Sequence, residues 1–260
     1  STTGAAGEYT GRTSGRVKYS YALTAFNIAK RDAETLLLNC LGRTDRAWLF
    51  AHDTDELAVE DLKQYSALCR EREQGVPMAY VMGYREFWSL ELAVTSDVLI
   101  PRPETEHLVE WAIERVEASA APSLLDLGTG SGAIALACKA AKPKLQVTAC
   151  DVSEPALAVA KKNATKLDLL VELTVSNWFS AFGDRSWSII VANPPYVART
   201  DEHLLKGDVR FEPTIALTDG GDGLSDIRRI ITQAPQYLTN DGWLLIEHGY
   251  DQASDVCEIF

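Results

Sequence analysis

Residues 123–132 read Ser-Leu-Leu-Asp-Leu-Gly-Thr-Gly-Ser-Gly, and an alanine-rich segment follows them from Ala133. The apolar run predicts a short buried β-strand, and the three glycines permit positive φ angles and close approach of the backbone to a ligand. Their spacing is Gly-x-Gly-x-Gly, and Asp126 lies at the end of the strand, which argues against a dinucleotide pyrophosphate site. The turn therefore indicates a nucleotide-like ligand without phosphates.

Beyond Glu104 the chain alternates between strand-like and helix-like segments. The predicted strands are Ser123 to Leu127, Gln146 to Cys150, Leu170 to Val175, Trp187 to Ala192 and Trp243 to Glu247. The predicted helices are Glu104 to Ala118, Ala133 to Ala141, Glu154 to Lys166 and Leu224 to Leu238. Such alternation predicts an α/β fold with a doubly wound parallel sheet, whose ligands bind beyond the carboxyl ends of the strands.

A second motif, Asn193-Pro194-Pro195-Tyr196, follows the apolar run Trp187 to Ala192. An Asn side-chain carbonyl and a main-chain carbonyl held by prolines can accept both hydrogens of a planar NH2 group, and a Tyr ring can cover its face. Such a site suits a carboxamide or an adenine. Together with the glycine turn, the motif indicates methyl transfer to an amino group.

Three further residues are candidates for binding a nucleoside. Asp151 ends the second predicted strand, where its carboxylate can accept from both hydroxyls of a ribose; it can also simply open the turn before a helix that Ser153 caps. Asn177 and Trp178 end the third strand, where Asn177 can hydrogen-bond an adenine edge and Trp178 can stack on the base. The alternative for Trp178 is a place in the core.

Composition limits the function classes. The 260 residues are 46% hydrophobic, enough for one large domain or a medium and a small one. A net charge of -12 provides no broad electrostatic footprint for nucleic acid, so a protein or small-molecule substrate is favoured. No apolar run reaches the roughly 18 residues of a membrane helix, and we expect a soluble protein. The five cysteines lack metal or disulfide spacing, which indicates a reducing, cytoplasmic compartment: Cys40, Cys69, Cys138, Cys150 and Cys257.

The domain organisation follows from shifts in pattern. We expect residues 1–20 to be a disordered tail or a cloning remnant, with part of an organelle transit peptide as the alternative. Residues 21–75 show helical periodicity and form a small helical domain for substrate recognition, and residues 76–103 are β-rich and form a hairpin linker. Residues 104–260 form the catalytic domain.

Several segments together closely resemble the HemK/PrmC family of release factor glutamine (N5) methyltransferases. They are the glycine turn, Asp151, Asn193–Tyr196, and the segments 86–89 (Glu-Phe-Trp-Ser), 99–106 (Leu-Ile-Pro-Arg-Pro-Glu-Thr-Glu) and 207–213 (Gly-Asp-Val-Arg-Phe-Glu-Pro). Members use S-adenosyl-L-methionine to modify the glutamine of the Gly-Gly-Gln motif in peptide chain release factors. The resemblance implies a Rossmann-like class I methyltransferase domain joined by a β-hairpin to a small N-terminal helical domain, and a protein substrate without direct nucleic-acid binding. We expect a monomer.

The resemblance also implies roles for individual residues. The turn residues Gly128, Thr129, Gly130, Ser131 and Gly132 would contact the amino-acid part of the cofactor, with Asp126 supporting them. Asp151 would bind the ribose, and Asn177, Trp178 and Asn193 would complete the cofactor site. Asn193 and Pro194 would receive the substrate amide hydrogens, with Pro195 and Tyr196 packing beside them, and Phe87 and Arg102 would wall the site. An Asp is more usual in the family at the position of Asn177, and a final helix and two strands of the family are expected to be missing.

Other polar residues have structural interpretations. His248 follows a strand without a second metal ligand at suitable spacing, and we assign no metal. Glu104 and Glu106 suit the dipole at a helix start, with a catalytic role as the alternative. Asp208, Arg210 and Glu212 can grip a partner or support the fold.

Three rival functions remain open from sequence. A nucleic-acid adenine N6-methyltransferase would use the same acceptors on a flipped base, and a ribosomal protein glutamine methyltransferase would differ in substrate only. A non-catalytic cofactor-binding module is the third.

Overall fold

The computed structural model describes residues 17–117 and 122–260, which divide into two compact units between Met82 and Gly83. Most of the predicted tail, residues 1–16, lies outside the described residues. Its last four residues do not form a tail: Val17 pairs with Leu57, and Tyr19 is buried in the core of the first unit. No helix in the two described ranges has the length and apolar character needed to cross a membrane.

The first unit is mainly helical. Its elements are β1 (Val17–Lys18), α1 (Tyr19–Ala22), α2 (Lys30–Cys40), α3 (Arg46–Ala51), β2 (Glu56–Leu57), α4 (Val59–Glu73) and α5 (Met78–Met82). Leu36, Leu37 and Tyr65 are fully buried where α2 packs on α4, as their helical spacing predicts. The helix α5 occupies a segment for which the sequence predicted a hairpin. Its first residue follows Pro77, whose carbonyl accepts hydrogen bonds from the Tyr80 and Val81 amides.

The second unit begins with a hairpin and continues with the parallel sheet. Its elements are β3 (Tyr84–Phe87), β4 (Leu90–Ala93), α6 (Glu106–Glu117), β5 (Ser123–Leu127), α7 (Ala133–Ala141), β6 (Gln146–Asp151), α8 (Glu154–Lys166), β7 (Glu172–Val175), β8 (Trp187–Ala192), α9 (Ser225–Gln233), β9 (Leu238–Ile246) and α10 (Ala253–Ile259). Short 3-10 turns precede α6 at Pro103–Thr105 and fill the segment 202–216 between β8 and α9.

The sheet has the strand order β7-β6-β5-β8-β9, and all neighbouring strands run parallel. Alternate residues of a strand face opposite layers, so Leu124 packs with α6 and α7 while Leu125 packs toward α9. The predicted α/β class with a parallel sheet is confirmed. Strand order reverses at β5, where Leu127 lies beside Cys150 of β6 on one side and Ala192 of β8 on the other. Both sequence motifs therefore emerge side by side at the topological switch point.

Several element ends differ from the predictions. The helix predicted for 224–238 ends at Gln233, because Pro235 lies in the 3-10 turn that follows, and β9 begins at Leu238 instead of Trp243. The helix predicted from Glu104 starts with the 3-10 turn, and its last predicted residue, Ala118, lies outside the described residues. A helix, α10, follows β9 where none was expected.

The hairpin turns at Trp88 and Ser89, both of which have positive φ angles of 52° and 58°. This turn points Phe87 inward, and Phe87 is 1% exposed in the core beside Leu92. Asn163 of α8 holds the hairpin: its Oδ1 accepts from the Ala93 amide at 2.7 Å, and its Nδ2 donates to the Ala93 and Ser131 carbonyls at 3.0 and 2.9 Å. One buried carboxamide thus joins the hairpin to the glycine turn.

Candidate active site

Two neighbouring cavities open at the carboxyl ends of the central strands. The first, of about 240 Å³, is lined by residues of the turns after β5, β6, β7 and β8, and the second, of about 150 Å³, by residues of the 99–102 and 193–217 segments. Leu99, Asn193 and Ala216 line both. Asn193 thus stands where the two cavities meet.

The glycine turn presents backbone to the first cavity. Gly128 and Gly130 line the cavity with φ angles of +71° and +55°, and a Cβ added at Gly130 would meet nothing within 4 Å. Gly132 has φ +86° and is the N-cap residue of α7, where an added Cβ would lie 3.0 Å from Leu136. Thr129 and Ser131 are buried under the turn and line neither cavity.

Asp126 supports the turn from below. Its side chain is fully buried, and Oδ2 accepts from Thr129 Oγ1 at 2.6 Å and from the Ala135 amide at 3.2 Å. Burial raises the pKa of Asp126 to about 7, against the opposing effect of these hydrogen bonds. The Oδ1 atom is buried without a partner. Asp126 lies under the cavity and does not line it.

Asp151 lines the first cavity at the end of β6. Oδ2 accepts from the Gly130 amide at 2.9 Å, and Oδ1 accepts from the Ser153 amide at 2.9 Å. Each carboxylate oxygen has a second lone pair, so both can still accept from a pair of ligand hydroxyls. Burial raises the pKa of Asp151, and the backbone hydrogen bonds oppose that shift. Ser153 also caps α8, so the structural interpretation of this segment is confirmed, and ribose binding by Asp151 stays a prediction.

Asn177 and Trp178 line the same cavity as the glycine turn. The Trp178 ring lies against Gly128, where an added Cβ would be 3.3 Å from Cζ3. Trp178 Nε1 donates to Asp226 Oδ1 at 3.0 Å, and Arg229 Nη1 donates to Asn177 Oδ1 at 2.7 Å. Trp178 is therefore positioned at the cavity wall, and only partly buried in the core.

The Asn193 carboxamide is oriented by partly buried neighbours. Asn193 Nδ2 donates to Thr105 Oγ1 at 3.1 Å, and Oδ1 is the acceptor of this carboxamide. Tyr196 Oη donates to Glu247 Oε1 at 3.1 Å. Burial raises the pKa of Glu247, and the neighbouring polar groups of Thr105, Tyr196 and Asn193 oppose the shift. Two hydrogen-bonded pairs, Asn193 with Thr105 and Tyr196 with Glu247, thus support the Asn-Pro-Pro-Tyr motif.

The second cavity is lined mainly by apolar side chains, with Pro194, Tyr196 and Arg102 among its walls. Arg102 Nη2 donates to Glu212 Oε1, and the Ile100 amide donates to Glu212 Oε2 at 3.1 Å. Glu212 is buried and therefore supports the fold. Pro195 lines the first cavity, whereas Phe87 lines neither because the hairpin turns it into the core.

Two further polar residues singled out in the sequence, Glu106 and His248, have structural partners. Glu106 Oε1 accepts from the Trp88 amide at 2.8 Å, and His248 Nδ1 lies 2.8 Å from the Gly249 carbonyl oxygen. Within the described part of the chain, no group of three or more His, Cys, Asp or Glu side chains is arranged to hold a metal ion.

The side chains that support the two motifs were not predicted from the sequence. Thr105 and Glu247 orient Asn193 and Tyr196, and Asp226 and Arg229 hold the 177–178 turn. Each of these contacts joins residues that are 48 to 88 positions apart in the chain, so no local pattern reveals them.

Comparison with known proteins identifies the family. A family model described as the PrmC N-terminal domain matches residues 18–83, and one described as the methyltransferase small domain matches residues 109–222. A release factor glutamine methyltransferase of Xylella fastidiosa is 47% identical over 230 residues, which are 88% of this chain and 83% of the relative. The chain belongs to the release factor glutamine methyltransferase family. The family member of Shewanella oneidensis is 48% identical over 226 residues, or 86% of this chain and 78% of the relative.

The likeness to solved structures concerns the fold. The hMettl16 catalytic domain, solved in complex with MAT2A 3'UTR hairpin 6, superposes with a TM-score of 0.54 and 18% identity over 76% of this chain and 71% of that chain. At such identity only the class I methyltransferase fold is shared. The protein is an S-adenosylmethionine-dependent methyltransferase, and the resemblance seen in the sequence is confirmed.

The residues of the first cavity fit this cofactor. The exposed backbone at Gly130 gives room for close approach, Asp151 offers acceptors for ribose hydroxyls, and Trp178 offers an aromatic wall for a base. The donor and acceptor set matches a nucleoside without phosphate groups, since no Lys side chain and only one Arg side chain line this cavity among the described residues.

Proposed function

We propose that this enzyme methylates the side-chain amide nitrogen, N5, of the glutamine in the Gly-Gly-Gln motif of peptide chain release factors. The observation that carries the proposal is the position of Asn193 at the junction of a cofactor cavity and a smaller apolar cavity, with its Nδ2 occupied by Thr105. Relatives at 47% and 48% identity bear the name of this activity.

In the proposed complex the first cavity holds the cofactor. Gly128 and Gly130 border its amino-acid part, with Asp126, Thr129, Ser131 and Gly132 maintaining the turn. Asp151 binds the ribose hydroxyls, and Asn177 and Trp178 contact the adenine. The cofactor supplies an electrophilic methyl group on a sulfonium when it is bound.

The second cavity receives the glutamine side chain. The Asn193 Oδ1 and the Pro194 carbonyl accept the two amide hydrogens, and Tyr196 packs on the amide plane. A carboxamide nitrogen is a poor nucleophile because its lone pair is delocalised into the carbonyl. The two acceptors stabilise the positive charge that develops on the nitrogen as its lone pair localises. Once methylated, the nitrogen releases one of its two protons to water, which restores a neutral amide.

Orientation supplies most of the acceleration in this proposal. Well-oriented reactants can gain roughly 7 to 11 kcal/mol, more than the factor of about 10² to 10⁴ that one general base gives. We therefore assign no dedicated base. The hydroxyl of Tyr196 stays protonated at neutral pH and does not act as the base, because burial and the nearby Glu247 raise its pKa above the ordinary value of a tyrosine.

The partner in this proposal is a release factor, engaged by a monomer in the cytoplasm, where translation ends. A net charge of -12 disfavours direct binding of nucleic acid. The apolar second cavity suits a neutral side chain flanked by small residues.

Methyl transfer from labelled S-adenosylmethionine to purified release factor tests the proposal. Wild-type factor is compared with a factor whose Gly-Gly-Gln glutamine is replaced by alanine, and adenine-containing DNA is a parallel acceptor. Label on the wild-type factor alone is expected. Label on DNA, or equal label on both factors, would contradict the assignment.

A further inference from the structure

Tyr196 is held at two points by one segment of the chain, residues 247–252, which directly follows β9. Its hydroxyl donates to Glu247 Oε1 at 3.1 Å, and its main-chain carbonyl accepts from Gln252 Nε2 at 3.0 Å. The Glu247 amide also donates to the Ala192 carbonyl at 2.9 Å, which continues the pairing of β8 with β9 up to the Asn-Pro-Pro-Tyr motif. The segment therefore contacts the motif on both sides.

Three backbone groups determine how the Gln252 carboxamide is turned. Its Oε1 accepts from the Gly249 amide at 2.8 Å, a contact that only the oxygen can make, because an N–H offers no acceptor. Its Nε2 donates to the Tyr196 carbonyl at 3.0 Å and to the Gly223 carbonyl at 3.4 Å. The reversed carboxamide would place its oxygen against two carbonyl oxygens and its NH2 group against an N–H. One orientation alone satisfies all three backbone groups.

The chain packs closely around this carboxamide. Gln252 is the N-cap residue of α10, yet its side chain makes no capping hydrogen bond to that helix. Gly223 has a φ angle of +81°, and an added Cβ there would lie 2.2 Å from the Tyr196 carbonyl oxygen and 3.0 Å from Gln252 Nε2. The Gln252 side chain is therefore directed to Tyr196 instead of its own helix, and a glycine leaves room for the contact.

The Tyr196 ring lies between this support and the second cavity. The ring lines that cavity, and it packs on a small apolar cluster that includes Ile227 of α9 and Val256 of α10. Gln252 itself lines neither cavity. Since Tyr196 is fixed at its hydroxyl and at its main-chain carbonyl, its ring cannot tilt or slide without straining one of the two hydrogen bonds. Gln252 can thus act on a bound acceptor through Tyr196.

We infer that Gln252 is a positioning residue for methyl transfer, which holds the Tyr196 ring at the depth and tilt that cover the acceptor carboxamide. The catalytic consequence rests on the proposed function, whereas the hold on Tyr196 does not. Positioning matters because a displacement of about 1 Å at a reacting group can cost about 10²-fold in rate. Gln252→Met keeps the length of the side chain and removes both polar groups. With the hydroxyl contact still present, we expect its kcat to fall by about 5- to 50-fold.

Fluorine NMR tests the hold on Tyr196 without any acceptor protein. In protein labelled with meta-fluorotyrosine, the Tyr196 signal is identified by its loss in Tyr196→Phe. In Gln252→Met this signal should shift or broaden, because the residue is held only at its hydroxyl. Ser188→Ala is the matched control: it also removes two hydrogen bonds to backbone, both at 2.9 Å to Ser123, but at the amino end of β8. An unmoved Tyr196 signal in Gln252→Met, or an equal change in Ser188→Ala, would overturn the inference.

Single-turnover methyl transfer to release factor at saturating cofactor measures the effect on the reaction. Gln252→Met should lose kcat while its affinity for S-adenosylhomocysteine stays within about 2-fold of wild type, and Ser188→Ala should keep the wild-type kcat. In the Tyr196→Ala background, Gln252→Met should change kcat by less than about 2-fold, because Gln252 acts through the missing ring. A comparable loss in that background, or wild-type kcat in Gln252→Met, would refute the positioning role. If wild type transfers no methyl group to release factor, the proposed function fails, and the NMR comparison still decides whether Gln252 holds Tyr196.

Discussion

Thr105→Val removes the hydroxyl that orients Asn193 while preserving the volume of the side chain. Thr105 is 4% exposed, lines neither cavity, and accepts one hydrogen bond from Asn193 Nδ2 at 3.1 Å. The loss of this bond amounts to about 0.5 to 1.5 kcal/mol. If the whole loss appears in the transition state, kcat falls by about 2- to 13-fold.

The assay is single-turnover methyl transfer to release factor at saturating cofactor, paired with calorimetric affinity for S-adenosylhomocysteine. The affinity for S-adenosylhomocysteine should stay within about 2-fold of wild type, because the lost hydrogen bond joins Thr105 to Asn193 and Thr105 lines neither cavity. Thr105→Ser keeps the hydroxyl and should recover most of the activity. Wild-type kcat in Thr105→Val, no advantage of Ser over Val, or a loss of affinity as large as the loss of kcat would refute the orienting role.

Three further changes test other parts of the site. Asn193→Ala should lower kcat by about 10² to 10³ because one preorganised acceptor is lost, while S-adenosylhomocysteine affinity changes far less; comparable losses in both would contradict the proposed role. Gly223→Ala places a Cβ 2.2 Å from the Tyr196 carbonyl oxygen, at a residue with a φ angle of +81°. Chemical denaturation should therefore show at least about 1 to 2 kcal/mol of destabilisation. Wild-type stability would show that Gly223 and Tyr196 do not pack so closely. Asp126 has a folded-state pKa of about 7, above the ordinary 3.8, so the folded state binds the extra proton and stability falls as pH rises from about 4 to 7. Asp126→Asn should remove a decline of the order of 4 kcal/mol from that window, and an unchanged pH profile of unfolding would count against burial of this carboxyl.

Local signals explain which elements the sequence could predict. The bounds of β5, α7, α8 and β8 match their predicted ranges, because glycines, prolines or a capping serine stand at their ends. Ser153 accepts from the Ala156 amide as an N-cap should, and Pro155 lies in the first turn. The switch point of the sheet likewise follows from the alternation of strands and helices.

Long-range packing explains what the sequence could not predict. Phe87 belongs to the core because the two-residue turn at Trp88 and Ser89 sets which face of the hairpin points inward. Thr105, in the turn before α6, and Glu247, directly after β9, lie 88 and 54 positions from Asn193 in the chain. In the sequence, Thr105 is only one residue of an acidic helix start. Proximity of this kind is a property of the folded sheet.

The most direct test of the central claim locates the transferred methyl group by mass spectrometry on release factor treated with wild-type enzyme or with Asn193→Ala. We expect a single methyl group on the side-chain nitrogen of the Gly-Gly-Gln glutamine with the wild-type enzyme, and a loss of at least about 100-fold in its rate of formation with the variant. A methyl group at another residue, or undiminished methylation of this glutamine by Asn193→Ala, would contradict it.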